Sequence, residues 1–211
     1  ETWLLNVLRH IDRSRFQMDF LVHTDQPCAY DEEIRSLGSK IIPCLSPSHI
    51  WTYRKSFNQT WHEFGPYDII HSHVYLFTGF VLYLATRAGV KYRIAHIHPL
   101  KDQKPQTFSR RVFKHFALHL ISSYADFLLT ISQHTHALFK ATANFQNKPS
   151  AVIYCGIDIN KFQKTINREL VRQELRLPKD KPIIIYVARF TAHKNHVQMI
   201  RIANRLNHDE Y

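Results

Sequence analysis

Short apolar runs alternate with amphipathic stretches along most of this chain, and that alternation narrows the fold more than any other feature. Phe16–His23, Lys40–Cys44, Asp68–Ser72, Tyr92–His98, Phe127–Ile131, Ala151–Tyr154 and Ile183–Val187 read as strands. Single helical stretches separate most of them. Trp3, Leu4, Val7, Leu8 and Ile11 recur at helical spacing, with Thr2 as the N-cap. Asp31–Leu37 reads as a short helix closed by Gly38, and Ile50–Phe64 as a helix with Trp51, Phe57, Trp61 and Phe64 as its apolar points. Leu76–Ala88 reads as a buried helix stopped at Gly89, Phe108–Tyr124 as a long helix, and Ser132 as the cap of a helix reaching about Ala141. Strands joined by single helices predict an α/β fold: a Rossmann-like parallel sheet with helices on both faces.

The stretch Ala151–Phe162 divides the chain. It reads as a short buried strand, a turn at Gly156, and Asp158 as a cap for the next turn. A polar segment, Gln163–Lys181, precedes the strand Ile183–Val187, where the β/α pattern restarts. The organisation expected is a Rossmann-like domain over 1–150, a hinge and linker over 151–180, and the first strand and helix of a second, incomplete domain over 181–211. The sequence opens at Glu1 inside a helical pattern and closes just after another, which reads as a piece of a longer protein.

Lys and Arg number 28 against 17 Asp and Glu, a formal charge of +11 that favours phosphorylated substrates, nucleic acid or anionic lipid as partners. Cys28, Cys44 and Cys155 are far apart and odd in number, which argues against a zinc ribbon and against a disulfide scaffold and points to free thiols in a reducing cytoplasm. The longest apolar run, Tyr75–Ala85, is too short to span a bilayer.

Neither Gly-x-Gly-x-x-Gly nor a Walker loop is present, so candidate chemistry must sit on residues just after the strands, where open α/β sheets collect ligands. Two His-x-His pairs lie there, His71 with His73 and His96 with His98. Strand period two puts each pair on one face. A metal site is disfavoured because no carboxylate or Cys accompanies the pairs at ligand spacing. Satisfied core or rim histidines are the reading preferred for His71 and His96. A polar cleft rim that hydrogen-bonds hydroxyls or phosphate is preferred for His73 and His98. Farther on, Arg189 and Lys194 flank a loop that opens a helix near His196, an arrangement that suits a pyrophosphate but equally fits two surface cations. In the long helix Val112, Phe113, Phe116, Ala117, Leu120 and Ile121 form an apolar stripe, with Arg110, Arg111, Lys114 and His115 opposite and Lys101 and Lys104 just before. That pattern suits an anionic membrane surface along 101–119, and equally a solvated face over an ordinary core stripe.

Several of these motifs resemble one family. Cys155-Gly156-Ile157-Asp158 with Phe162 resembles the Asn-Gly-Ile-Asp…Phe segment of the retaining GT-B glycosyltransferases of family four. His71-Ser72-His73, Gly79, Ala88-Gly89-Val90 and Arg93-Ile94-Ala95-His96-Ile97-His98 resemble the acceptor domain of its exopolysaccharide-synthesis members. Ala188-Arg189-Phe190 with Lys194-Asn195 is similar to the donor motif Gly-Arg-Phe…Lys-Asn, with Ala188 standing in place of Gly. The opening Glu1–Leu8 resembles the helix that comes after the family's Gly-Gly-Ala loop.

The resemblance implies a GT-B N-terminal domain followed by the start of the donor domain. It implies transfer of a sugar from a UDP- or GDP-sugar to a glycan or lipid-linked acceptor, with retention of configuration, in cell-surface polysaccharide synthesis. His98 would face the donor sugar as the catalytic position. Arg189 and Lys194 would hold the donor diphosphate, and Thr2 and His73 would line the acceptor-side cleft. No metal and no cofactor is expected, since the two cations would do the electrostatic work of a divalent ion. Nucleic acid is not expected as a partner. A cytoplasmic protein, peripheral at the inner face of the plasma membrane, is implied. This stretch alone is expected to be inactive. The rival readings are a basic α/β binding module for nucleic acid or another polyanion, and an inactive transferase remnant.

Overall fold

The computed structural model describes residues 2–45, 47–98, 107–141, 145–163 and 166–206. Two compact units are present, Glu1–Asp158 and Ile159–Tyr211. In the first, helices and strands run in the order α1 (Thr2–His10), β1 (Phe20–Val22), α2 (Asp31–Ser36), β2 (Ile41–Pro43), α3 (Ile50–Phe64), β3 (Ile69–Ser72), α4 (Thr78–Arg87), β4 (Tyr92–Ile97), α5 (Phe108–Tyr124), β5 (Phe127–Thr130), α6 (Gln133–Lys140) and β6 (Ser150–Val152). All strands are parallel. β1 pairs with β2, and a four-stranded sheet runs β3-β4-β5-β6. The α/β architecture read from the alternation is therefore present, with the described strands divided into a pair and a quartet.

Local chemistry explains the boundaries. α2 and α4 each end in a glycine at positive φ, Gly38 at 83° and Gly89 at 80°. In both, the next amide reaches back to close the last turn: Ser39 N–H to Ile34 O at 3.2 Å and Val90 N–H to Ala85 O at 3.0 Å. Ser132 caps α6, its hydroxyl oxygen accepting from Thr135 N–H at 3.2 Å. Thr2 does not act as the expected cap; it is the first helical residue of α1, and its hydroxyl lies 2.9 Å from that of Tyr30.

The core has two parts. One gathers Cys44, Tyr53, Phe57, Val81, Leu84, Ala85 and Val90; the other gathers Leu82, Ala95, Ile97, Ile121, Ala125, Leu128 and Phe145. α4 contributes to both. It also approaches α5 at Gly79, where an added Cβ would sit 2.7 Å from Ala117 O and 2.8 Å from Leu120 Cβ. Ser72 on β3 and Thr78 at the start of α4, both buried, hydrogen-bond at 3.0 Å. At the base of β4, Arg93 donates to Asp126 Oδ1 at 2.7 Å and to the carbonyls of Tyr124 and Val90, while its own amide donates to Asp126 Oδ2.

Four expectations need correction. Trp51 is 80% exposed, and Tyr53, not named from sequence, joins Phe57 in the core from α3 instead, since Tyr53 rather than Trp51 lies on the buried face. The strand at 151–154 is Ser150–Val152, and Ile153 and Tyr154 are exposed, since β6 is an outer strand and among the described strands pairs only with β5. The apolar stripe of α5 is buried only in its second half, at Ala117 and Ile121, whereas Val112, Phe113 and Phe116 lie exposed among Arg111 and His115.

The fourth concerns the second unit. It contains α7 (Arg168–Glu174) and α8 (His196–Ala203), with single 3-10 turns at Ile159–Phe162 and Ala192–Lys194. The expected strand Ile183–Val187 is not formed: no described strand pairs with it, and Ile184, Ile185 and Val187 stand exposed. Buried Arg172 closes α7 onto the next loop by donating to the carbonyls of Pro178, Lys179 and Lys181.

Candidate functional site

Period two along β3 and β4 sorts their side chains onto two faces. Ile70 and Ser72, with Ala95 and Ile97, face the core beneath α4. His71 and His73, with His96 and His98, share the opposite face. The pairing of His71 with Ile94 and of Ser72 with Ala95 sets the four imidazoles beside one another at the carboxyl ends of the strands. Ring centroids lie 4.3 Å apart for His71 and His73, 4.8 Å for His73 and His96, and 4.6 Å for His96 and His98. Trp3 of α1 stands edge-on over three of them, with centroids 5.7 Å from His73, 5.2 Å from His96 and 6.1 Å from His98. α1 is seated by buried Leu5 and Leu8 and by Arg9, whose guanidinium grips Glu33 of α2 at 2.6 and 2.8 Å.

The cluster forms two hydrogen-bonded pairs, His71 Nε2 with His96 Nδ1 at 3.1 Å and His73 Nδ1 with His98 Nε2 at 2.9 Å. One nitrogen of each pair must donate and the other accept. Nε2 of His73 and Nε2 of His96 are buried and have no hydrogen-bond partner. A buried polar atom left in that state costs about 1–3 kcal/mol, so its retention asks for an explanation.

Burial, with repulsion between neighbouring rings, holds these groups neutral. His71 is lowered to about 4, His96 to about 3 and His73 to about 2; burial also lowers His98. His96 is fully buried. His71 belongs to the outer strand of the quartet and keeps an open side, but its ring stacks on that of His96 at 5.2 Å. At neutral pH the face therefore offers uncharged imidazoles that can accept or donate a single hydrogen bond each, and can shuttle a proton only at the cost of burying a charge.

Of the residues named from sequence, His73 and His98 are brought into direct contact. His71 and His96, read from sequence as core or rim histidines, join them in the same cluster, with His96 fully buried. Thr2 adjoins Trp3 but is engaged by Tyr30. Trp3 was missed as a site residue because helical spacing assigns it only to an apolar face. The second unit carries Arg189 and Lys194, both exposed, Arg189 ahead of the turn before α8 and Lys194 as that turn's last residue. Asn195 comes next at φ 52°, a left-handed position that asparagine tolerates, and its side chain caps α8 by accepting from Gln198 N–H at 3.3 Å. His196 is packed between Phe190 (4.4 Å, stacked) and Tyr186 (5.3 Å, edge-on), and the Tyr186 hydroxyl donates to the Lys194 carbonyl. The loop is thus shaped by its own ring contacts. The half-buried Ala188 methyl lies just ahead of Arg189. Lys101 and Lys104 lie outside the described residues.

Known proteins place this architecture. Residues 1–161 match the family model described as Glycosyltransferase Family 4. The chain is 30% identical over 209 residues to the putative glycosyltransferase EpsF of Bacillus subtilis, covering 98% of this chain and 54% of that protein. It is 26% identical over 136 residues to the capsular polysaccharide biosynthesis glycosyltransferase CapH of Staphylococcus aureus, covering 64% of this chain and 35% of that one. It therefore spans about half or less of the length of these relatives. The crystal structure of Anabaena HepE in complex with UDP superposes with a TM-score of 0.56 at 21% identity, over 83% of this chain and 46% of that one, which supports the GT-B type of fold. A family match over three quarters of the sequence, on a parallel sheet of this order, establishes that the chain belongs to Glycosyltransferase Family 4.

Proposed function

We propose that this chain is the acceptor-side domain and the first part of the donor domain of a transferase that moves a sugar from a nucleotide-sugar donor to a glycan or lipid-linked acceptor, with retention at the anomeric carbon, in cell-surface polysaccharide synthesis. The observation that carries the reading is the likeness to EpsF along 98% of the chain. The imidazole face at the strand ends lies where ligands collect in this kind of sheet. A UDP-sugar is favoured over a GDP-sugar because HepE, of the same fold, was crystallised with UDP and with UDP and glucose.

In this reading His98 meets the donor sugar and is held in one orientation by His73. Its lowered basicity suits a hydrogen-bonding partner for hydroxyls better than a cation. Arg189 and Lys194 neutralise the donor diphosphate and the departing nucleotide, helped by the N-terminus of α8. Thr2 and His73 line the acceptor side. The exposed mixture of Arg111, Val112, His115, Phe116 and His119 on α5 is the surface that would lie on anionic lipid, with Phe108 83% exposed at the helix start. No described helix is long and apolar enough to cross a membrane. A cytoplasmic enzyme held peripherally at the inner face of the plasma membrane is the form this reading gives.

The test is donor turnover by the protein expressed from its uninterrupted coding region, with UDP- and GDP-sugars as substrates and the product anomer read by NMR. Transfer with retention is expected from a UDP-sugar. His98→Ala is expected to lower kcat by about 100-fold or more, and Arg189→Ala or Lys194→Ala to weaken UDP binding. Failure to bind or turn over any nucleotide sugar would overturn the reading.

A further inference from the structure

We propose that His71, His73 and His96 form a zinc site, with three ring nitrogens as ligands and an exchangeable fourth position. The sequence argued against a metal because no carboxylate or cysteine stands at ligand spacing. The fold supplies what linear spacing hides, by setting a His-x-His pair from β3 against one from β4. One ring nitrogen from each of the three residues lies within 4.8 Å of the others, and no other such group of three occurs among the described residues. Tetrahedral zinc with bonds of about 2.0–2.1 Å separates its nitrogen ligands by about 3.4 Å, so modest rotations of the rings close the site.

The independent observation is the pair of orphaned atoms. Nε2 of His73 and Nε2 of His96, one from each strand, are buried and unpartnered, and His96 has no solvent-exposed surface. A cation between the strands that takes these nitrogens also needs one from His71, whose Nε2 is bonded to His96 Nδ1, so that hydrogen bond opens on binding. The donor set selects the ion. Three neutral imidazoles with no oxygen ligand suit zinc rather than magnesium, calcium or manganese. The ion has no part in neutralising a donor diphosphate, for which Arg189 and Lys194 are the candidates, and the inference stands or falls without the transferase reading.

The experiment titrates the untagged, chelator-stripped chain with zinc against a chromophoric competitor, and with cobalt as a spectroscopic stand-in. One zinc per chain, the visible absorption of tetrahedral cobalt and a raised Tm are expected. His71→Gln, at the open edge of the sheet and compatible with folding, is expected to weaken zinc binding about tenfold or more. His136→Gln, on α6 with its ring 3.0 Å from the Ser150 hydroxyl, is expected to leave it unchanged. Circular dichroism of each variant confirms the fold. Stoichiometric zinc that survives His71→Gln, effective competition by magnesium, or no zinc bound above the level of the His71→Gln chain would each overturn the proposal.

Discussion

Two runs that both read as strands meet opposite fates in this molecule. Tyr92–Ile97 is β4, hydrogen-bonded on one side to β3 and on the other to β5, with Ala95 and Ile97 buried. Ile183–Val187 is richer in β-branched residues, yet it forms no strand and leaves Ile185 79% exposed. The difference lies in the neighbours. A strand is a property of a pair, because its backbone groups need partners and its side chains need a facing layer. Residue preference supplies only readiness.

Matched substitutions sharpen the contrast. The largest effect is expected from Ile97→Ala, which removes fully buried methyl groups and should cost about 3 kcal/mol in urea unfolding. Gly79→Ala should come second at about 2 kcal/mol, since the added methyl meets the backbone of α5 and neither helix can withdraw freely. Protonation of the imidazole face comes next. The folded pKa values of His71, His73 and His96 lie below the unfolded value, so their contribution is complete above about pH 6.5 and is lost as pH falls toward 4 and below. Unfolding is therefore expected to become easier as pH falls through that window, and His73→Gln should flatten the pH dependence of Tm. The smallest effect belongs to the second run. Ile185→Ala in this chain should change stability by no more than about 0.5 kcal/mol. Amide exchange is expected to be slow along β4 and fast along 183–187; equal protection in both would break the comparison.

Legibility in the sequence divides along the same line. Alternation marked every strand of the first unit, and Gly38, Gly89 and Ser132 marked helix ends, because turn and cap chemistry is local. Spacing also showed that each His-x-His pair shares a face. It could not show that the two faces coincide, since that depends on the register between β3 and β4. Nor could it show that Trp3 covers them, or that Tyr53 rather than Trp51 points inward on α3. The loop before α8 was legible as two cations at a helix start; its ring packing around His196 was not.

The position of α4 between both halves of the core bears on how the first unit comes apart. Val81, Leu84 and Ala85 serve one cluster and Leu82 the other, from adjacent positions on the same helix. Neither half can melt while its neighbour keeps that helix in place. The β1–β2 pair, too small to be stable alone, is thereby tied to the quartet, and the whole unit should unfold as a single cooperative event with one midpoint for every probe.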